Sequence, residues 1–327
     1  MISKETLFSS EIPFIDRFRD VFEYQSAQSD VYKKFLSGLG SESVHKLDPD
    51  TVPLLPIRAF RYRNVISNGL DANLIFKSSG TSDMAKSTHL IADPEFYKTA
   101  ILKEFTKHFP FDKYSLICHM PGYQENEHSS LIWMANFLIK NDPDSLSCFL
   151  PDNQKEIAKK FLQIREMGKE ILLFGAAFGL LDLVELEKIP NEYPFYILET
   201  GGMKTYRREI SKSELRKRLS LGFQIDPAAI HSEYGMCELL SQMYAIGSEW
   251  FQYPDWVYVS IRNHENPEIP CEPGVEGKIG IIDLANVYSC SFILTDDRGV
   301  MDQDGRFKVL GRWSNSNLRG CNFLVDD

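Results

Sequence analysis

The sequence predicts an α/β protein, with mainly parallel sheets flanked by helices and a small β-rich subdomain. Three observations carry this. Between about residues 94 and 200, strand-like apolar runs alternate with stretches of helical periodicity, the pattern of a parallel sheet covered by helices. From about Trp250, short β-rich segments punctuated by Gly, Pro and Asn follow one another with no helical pattern between them. The length of 327 residues suits about two domains of ~150 residues, with ample chain for a buried core. The expected division is an α/β body over 1–249 and a β-rich subdomain over 250–327.

The elements follow in order. Phe14, Ile15, Phe18, Val21 and Phe22 recur at helical spacing within an opening helical segment from Leu7 to about Leu39. Pro53 and Pro56 then break any helix. NLIFKSSGTSDMAKSTHLIAD reads as two strands joined by a long Ser/Thr/Gly turn. Asp93-Pro94 starts a helix over 94–108. KYSLICHM is a strand, and a helix runs through Leu131 to Lys140. EIAKKFLQIREMGKE (helix), ILLFGAAF (strand and turn), LLDLVELEKI (helix) and FYILET (strand) continue the alternation. WVYVSIRN, GKIGIIDLA, SCSFILTDD and RFKVLGR are the β-rich segments of the last part.

Composition narrows the function. Forty-six acidic against 36 basic residues give a formal charge of −10, which argues against nucleic acid as a principal partner, since phosphate binding needs clustered Lys and Arg. The N-terminus is too polar for a signal peptide, and the longest uncharged apolar stretch, Ile171 to Leu181, is well short of the ~18–20 residues of a membrane span. A cytoplasmic protein without a membrane span is expected. Six scattered cysteines, at 118, 148, 237, 271, 290 and 321, suggest free thiols rather than a zinc site or a disulfide framework.

Four loops could carry chemistry. KSSGTSDMAKS (Lys77 to Ser87) nearly matches a P-loop, but a strand rather than a helix follows Lys86. What remains is a Ser/Thr/Gly loop with one lysine, able to wrap a polyphosphate through amides, hydroxyls and one point charge, or else an ordinary polar hairpin. ILETGGMKT puts Gly201 and Gly202 at the C-terminal edge of a parallel strand, where ligands approach, although Gly-Gly is also a simple turn. In HSEYGMCELLSQMYA, Tyr234 and Gly235 precede Glu238, where a helix is expected to begin. Its carboxylate could hold a metal ion or merely favour the helix N-terminus. In the tail, Asp297 and Arg312 lie beside Gly-bearing turns and suit a ribose diol, and Cys321 follows Arg319, whose guanidinium would raise the thiolate fraction.

Taken together and in order, SSGTSDMAK, YGMCE, TDDRG and GRWSN resemble the phosphate loop, the Tyr-Gly-x-Thr-Glu motif, the Thr-Gly-Asp motif and the hinge arginine of the adenylate-forming superfamily. Over roughly residues 50–327, the segments LPIRAF, FKSSGTS, ILLFGAAF, LETGGMK, EYGMCELLSQMY and LTDDRGVMDQDGRFKVLGRWSNSNLRGCNF are similar to the acyl-protein synthetase of the bacterial luminescence fatty-acid reductase. The resemblance implies an adenylate-forming N-terminal body that uses ATP and Mg²⁺ to make acyl-AMP from a carboxylic, fatty acid. It implies that Ser78, Ser79, Gly80, Thr81, Ser82 and Lys86 embrace the β- and γ-phosphates. Gly201, Gly202 and Tyr234 would line the adenine beside Gly235, Glu238 would hold Mg²⁺, and Asp297 with Arg312 would bind the ribose. Cys321 in RGCNF falls on the acyl-accepting cysteine, from which a partner reductase or acyltransferase would take the acyl group. Asp83, Ala85, Cys237 and Asn315 depart from the superfamily pattern. The chain also ends where the superfamily's C-terminal lid begins, so a body without a lid is expected. Cys321, Lys86 and Glu238 are the expected catalytic residues. An acyl- or aryl-CoA or carrier-protein ligase and a nucleotide-binding scaffold without adenylation activity are the alternatives.

Overall fold

A computed structural model describes residues 2–40, 47–78, 86–122, 126–186, 189, 193–201 and 210–313. The opening helical segment is three helices, α1 (Lys4–Leu7), α2 (Phe14–Gln28) and α3 (Asp30–Leu39). The break comes at Ser29, whose side chain accepts from the Tyr32 amide and caps α3. Strand β1 (Leu55–Pro56), helix α4 (Ala59–Tyr62) and the hairpin β2 (Leu74–Lys77) with β3 (Thr88–Ile91) follow. Helix α5 (Pro94–His108) begins as its sequence dictates, with Pro94 in the first turn and Asp93 accepting from the Glu95 amide.

The expected alternation comes next: β4 (Tyr114–His119), α6 (Ser130–Asn141), β5 (Cys148–Phe149), α7 (Gln154–Glu166), β6 (Glu170–Ala176), α8 (Ala177–Glu185), β7 (Phe195–Thr200), α9 (Lys212–Phe223), β8 (Ile230–Tyr234) and β9 (Met243–Ala245). These strands form one six-stranded sheet in the order β5-β4-β6-β7-β8-β9, parallel except for β9, which pairs antiparallel with β8. Both faces are covered, so β4 and β6 read as near-continuous apolar runs. ILLFGAAFGLL is core: a methyl group on Gly179 would stand 2.7 Å from the Pro121 ring, so α8 lies against the loop after β4.

The β-rich end comprises β10 (Val257–Arg262), β11 (Gly277–Asp283), β12 (Phe292–Met301) and β13 (Phe307–Arg312). They form an antiparallel sheet to which β1 adds a parallel edge through Leu55 and Pro56, against Ile293 and Leu294. Helix α2 lies on this sheet through Phe18 and Phe22, whose rings contact Phe292 at 5.9 and 5.7 Å. The buried Gln25 donates to the carbonyls of Asn286 and Val287 at 3.0 and 2.8 Å, fixing the 3-10 turn Leu284–Asn286 that follows β11. Among the described residues, no helix is long and apolar enough to cross a membrane. None of the five described cysteines is in a disulfide: Cys118 and Cys290 are buried, and Cys148, Cys237 and Cys271 are half-buried.

Candidate active site

Parallel strands β7 and β8 end side by side, with Thr200 in register with Glu233, and their C-terminal ends open the site. Gly201 takes φ +75°, and among the described residues no atom lies within 4 Å of where its Cβ would stand, so the backbone is bare at this position just past β7. Beneath it, the fully buried Glu199 accepts two hydrogen bonds from Lys212 Nζ, both 2.7 Å. Lys212 is the first residue of α9, where the helix dipole disfavours a cation. The Glu199 carboxylate offsets that and anchors the helix to the sheet edge.

Glu233 is buried and accepts from the Thr200 hydroxyl. Burial pushes its carboxyl up to about 7, Glu199 adding to the rise while the Thr200 hydrogen bond and Lys212 oppose it. A Cβ on Gly235 would lie 2.5 Å from Glu233 Oε1, which accounts for glycine after Tyr234.

Tyr234 joins the two sheets. Its ring contacts Phe251 and Phe307 at 5.8 and 5.7 Å, and its hydroxyl donates to Asp297 Oδ2 at 2.8 Å. Asp297 Oδ1 accepts from Arg312 Nε at 3.0 Å, because β12 and β13 set Asp297 opposite Arg312. Alternation on β12 explains the Asp296-Asp297 pair. Asp297 faces inward, and Asp296 faces out to Arg58 at 3.0 Å, the arginine of LPIRAF. The Arg312 side chain is 55% exposed and that of Asp297 10%, so the guanidinium reaches solvent from a buried anchor. Burial, reinforced by Asp297, holds the Tyr234 hydroxyl well above its ordinary range and keeps it a donor.

The expected helix at Glu238 is not present; residues 235–242 form a loop. Tyr234 pairs with Met243, so the chain must turn back onto β8 within this segment and has no room for a helix. The Leu239 amide closes a turn on Met236 O at 3.1 Å. Asp283 then accepts from the Leu240 amide and the Ser241 hydroxyl at 2.8 and 2.6 Å. Asn286 Nδ2 donates to Glu238 O at 2.8 Å, and His89 Nδ1 lies 2.8 Å from Cys237 O. The other nitrogen, Nε2, is 2.9 Å from Asn286 Oδ1, so both ring nitrogens face acceptors. Burial nevertheless pushes the imidazole down to about 4, its two contacts pulling the other way. The neutral ring thus carries one proton for two acceptors.

His89 is on β3, so it links the loop of Glu238 to the expected phosphate-loop hairpin. The base of that hairpin is closed by Ser78 and Ser87. The Ser78 amide donates to Ser87 O, and the Ser87 amide to Ser78 Oγ, each at 3.0 Å. Lys86 is exposed beside this closure. Ser79, Gly80, Thr81, Ser82, Gly202 and Cys321 lie outside the described residues. Gly201, Tyr234, Gly235, Asp297 and Arg312 are thereby gathered where the two sheets meet, with Glu238, Ser78 and Lys86 on the adjoining loop and hairpin.

A family model described as acyl-protein synthetase, LuxE, matches residues 128–327, a span that includes Tyr234, Glu238, Asp297, Arg312 and Cys321. The chain belongs to the LuxE acyl-protein synthetase family. It is accordingly an AMP-forming ligase that adenylates an acid. Two solved structures share the fold of this LuxE-family chain. A 2-hydroxyisobutyryl-CoA ligase, in complex with 2-HIB-AMP and CoA, matches with a TM-score of 0.65 at 12% identity, over 91% of this chain and 69% of that one. ATP-bound MatB from Rhodopseudomonas palustris matches with a TM-score of 0.53 at 13% identity, over 73% of this chain and 47% of that one. No curated protein matches the sequence significantly.

The LuxE-family motifs did not announce Glu199, Glu233, Asp283, Asn286 and His89. His89 left one signal, a polar residue on the inward phase of a half-buried strand whose alternate positions are His89 and Ile91. Glu233 lay inside the quoted HSEYG, as a carboxyl in an otherwise covered strand.

Proposed function

We propose that the protein activates a fatty acid with ATP as acyl-AMP, loads it onto Cys321 as a thioester and delivers it to a partner reductase or acyltransferase. The observation that carries the nucleotide assignment is the Tyr234–Asp297–Arg312 arrangement at the sheet edge. It leaves a carboxylate held by two donors, with acceptor capacity remaining for ribose hydroxyls, and an arginine reaching outward. Ser78 to Ser82 and Lys86 then take the β- and γ-phosphates, and Gly201, Gly202 and Gly235 leave room for the adenine near Tyr234.

The residues also fit a magnesium ion that arrives with ATP. Among the described residues no group of three or more His, Cys, Asp or Glu could hold a metal, whereas Mg²⁺ is commonly held by one or two carboxylates plus substrate phosphates. Glu238 supplies one such carboxylate. Bound there, the ion would neutralise charge on the phosphates as pyrophosphate leaves.

In the first step a carboxylate oxygen of the acid attacks the α-phosphorus, and the bond to the pyrophosphate oxygen breaks. Lys86 offsets the negative charge that gathers on the leaving group. In the second, the Cys321 thiolate attacks the carbonyl carbon of the mixed anhydride and AMP departs, leaving a thioester. Incubation with MgATP and labelled fatty acid tests this: the protein should acquire a hydroxylamine-labile label that Cys321→Ser loses while pyrophosphate release persists. A label retained by that variant excludes Cys321 as the acceptor. The shared fold with a CoA ligase favours CoA as the second reading, which requires CoA-dependent turnover in Cys321→Ser.

A further inference from the structure

We infer that His89 and Asn286 are positioning residues that aim the Glu238 carboxylate at the metal–phosphate end of ATP. This rests on the reading of Glu238 given above. A residue's Cα–Cβ direction is set by its φ and ψ, that is, by the orientation of the two rigid peptide planes that flank it. For Glu238 these planes carry the carbonyls of Cys237 and Glu238 itself. The first faces His89 Nδ1 at 2.8 Å and the second accepts from Asn286 Nδ2 at 2.8 Å. With the ring proton on Nδ1, the clamp therefore grips Glu238 on both sides of its Cα.

The clamp is itself held. His89 and Asn286 are fully buried, the imidazole meets the Phe60 ring edge-on at 5.6 Å, and Gln25 of α2 donates to Asn286 O at 3.0 Å. The orientation of the Asn286 amide is unambiguous: the carbonyl of Glu238 demands a donor, so Nδ2 faces it and Oδ1 faces His89. The bond to Glu238 O thus forms with either neutral tautomer of the ring. His89 also lies three residues beyond Lys86 on the same hairpin. One buried pair therefore sets the phosphate-side lysine and the metal-side carboxylate in a common frame, although they are 152 positions apart in sequence.

The test uses the full chain with Asn286→Leu, which keeps the branched shape and removes the donor, His89→Phe, which keeps a buried ring, and His89→Gln, which restores an N–H donor. Acid-dependent exchange of pyrophosphate into ATP should show a KM for MgATP raised ~10-fold in Asn286→Leu and His89→Phe, the effect of about one hydrogen bond's worth of misalignment. Half-maximal Mg²⁺ should rise in step, with the KM for the acid within about twofold of wild type and partial recovery in His89→Gln. Folded variants with wild-type MgATP and Mg²⁺ dependence overturn the inference. So does a loss that falls equally on MgATP and acid, because that marks a merely structural role. Calorimetric titration with ATP, with and without Mg²⁺, separates the two readings. If wild type shows no exchange yet binds ATP more tightly with Mg²⁺, the function assigned above fails, and the clamp still stands or falls by whether Asn286→Leu abolishes that difference.

Discussion

Asp297 and Arg312 face each other across paired strands, whereas Glu238 sits in a loop whose shape depends on Asp283, Asn286 and His89. At the proposed ribose end, strand register alone brings the two side chains together, and a tyrosine from the neighbouring sheet completes the set. At the proposed metal end, register ends at Tyr234 and the backbone is held instead by buried side chains from β3, from the end of β11 and from the turn after it. The first construction is local and rigid. The second needs three separate elements in place to hold one loop.

The largest expected effect breaks the ribose end. Asp297→Ala removes the acceptor of both Tyr234 and Arg312, and kcat/KM for ATP should fall on the order of 100-fold, as loss of a hydrogen-bonded charge of ~3 kcal/mol requires. The matching change on the other side is a stability effect. Asp283→Ala leaves the buried Leu240 amide and Ser241 hydroxyl without their acceptor and should lower stability by ~2–4 kcal/mol, read as a lower midpoint in urea.

The buried carboxyl between the two ends has a pH signature. Glu233 binds its proton more tightly folded, at about 7, than the ordinary value of 4.5. Its contribution to stability is therefore complete below about pH 4.5 and is lost as pH rises through about 7, by at most ~3 kcal/mol. Glu233→Gln should flatten that part of the stability profile. His231, pushed down to about 4 chiefly by burial, acts in the opposite sense, its contribution being lost as pH falls below about 6.5. Urea midpoints from pH 4.5 to 8 for wild type and Glu233→Gln measure the difference. The smallest effect is Tyr234→Phe, which removes one hydrogen bond from Asp297 but keeps the ring. KM for ATP should rise ~5-fold, about 1 kcal/mol.

The two ends were also unequally legible in the sequence. The segments SCSFILTDD and RFKVLGR and the DQDG turn between them were readable because period and turn chemistry are local, and the hairpin they form sets Asp297 opposite Arg312. The helix Pro94–His108 was readable for the same reason, its cap and proline being adjacent in the chain. The loop after Tyr234 was misread as a helix because nothing within MCELL reveals that Asp283 and Asn286, more than 40 residues away, take its backbone groups. The helix Lys212–Phe223 went unread, although Ser211 caps it by accepting from the Glu214 amide, since its apolar stripe is thin and its surface highly charged. Likewise, His89 reads as strand until the fold sets it against Cys237.

The central claim is that both ends act on one nucleotide during acid activation. Its most direct test is acid-dependent exchange of labelled pyrophosphate into ATP by the full chain, compared between wild type and Glu238→Gln. Exchange is expected in wild type with a fatty acid present, falling on the order of 100-fold in the variant, ~3 kcal/mol of lost transition-state stabilisation. Folded wild-type protein that exchanges with no acid in a fatty-acid series, or a Glu238→Gln variant that exchanges as fast as wild type, would contradict it.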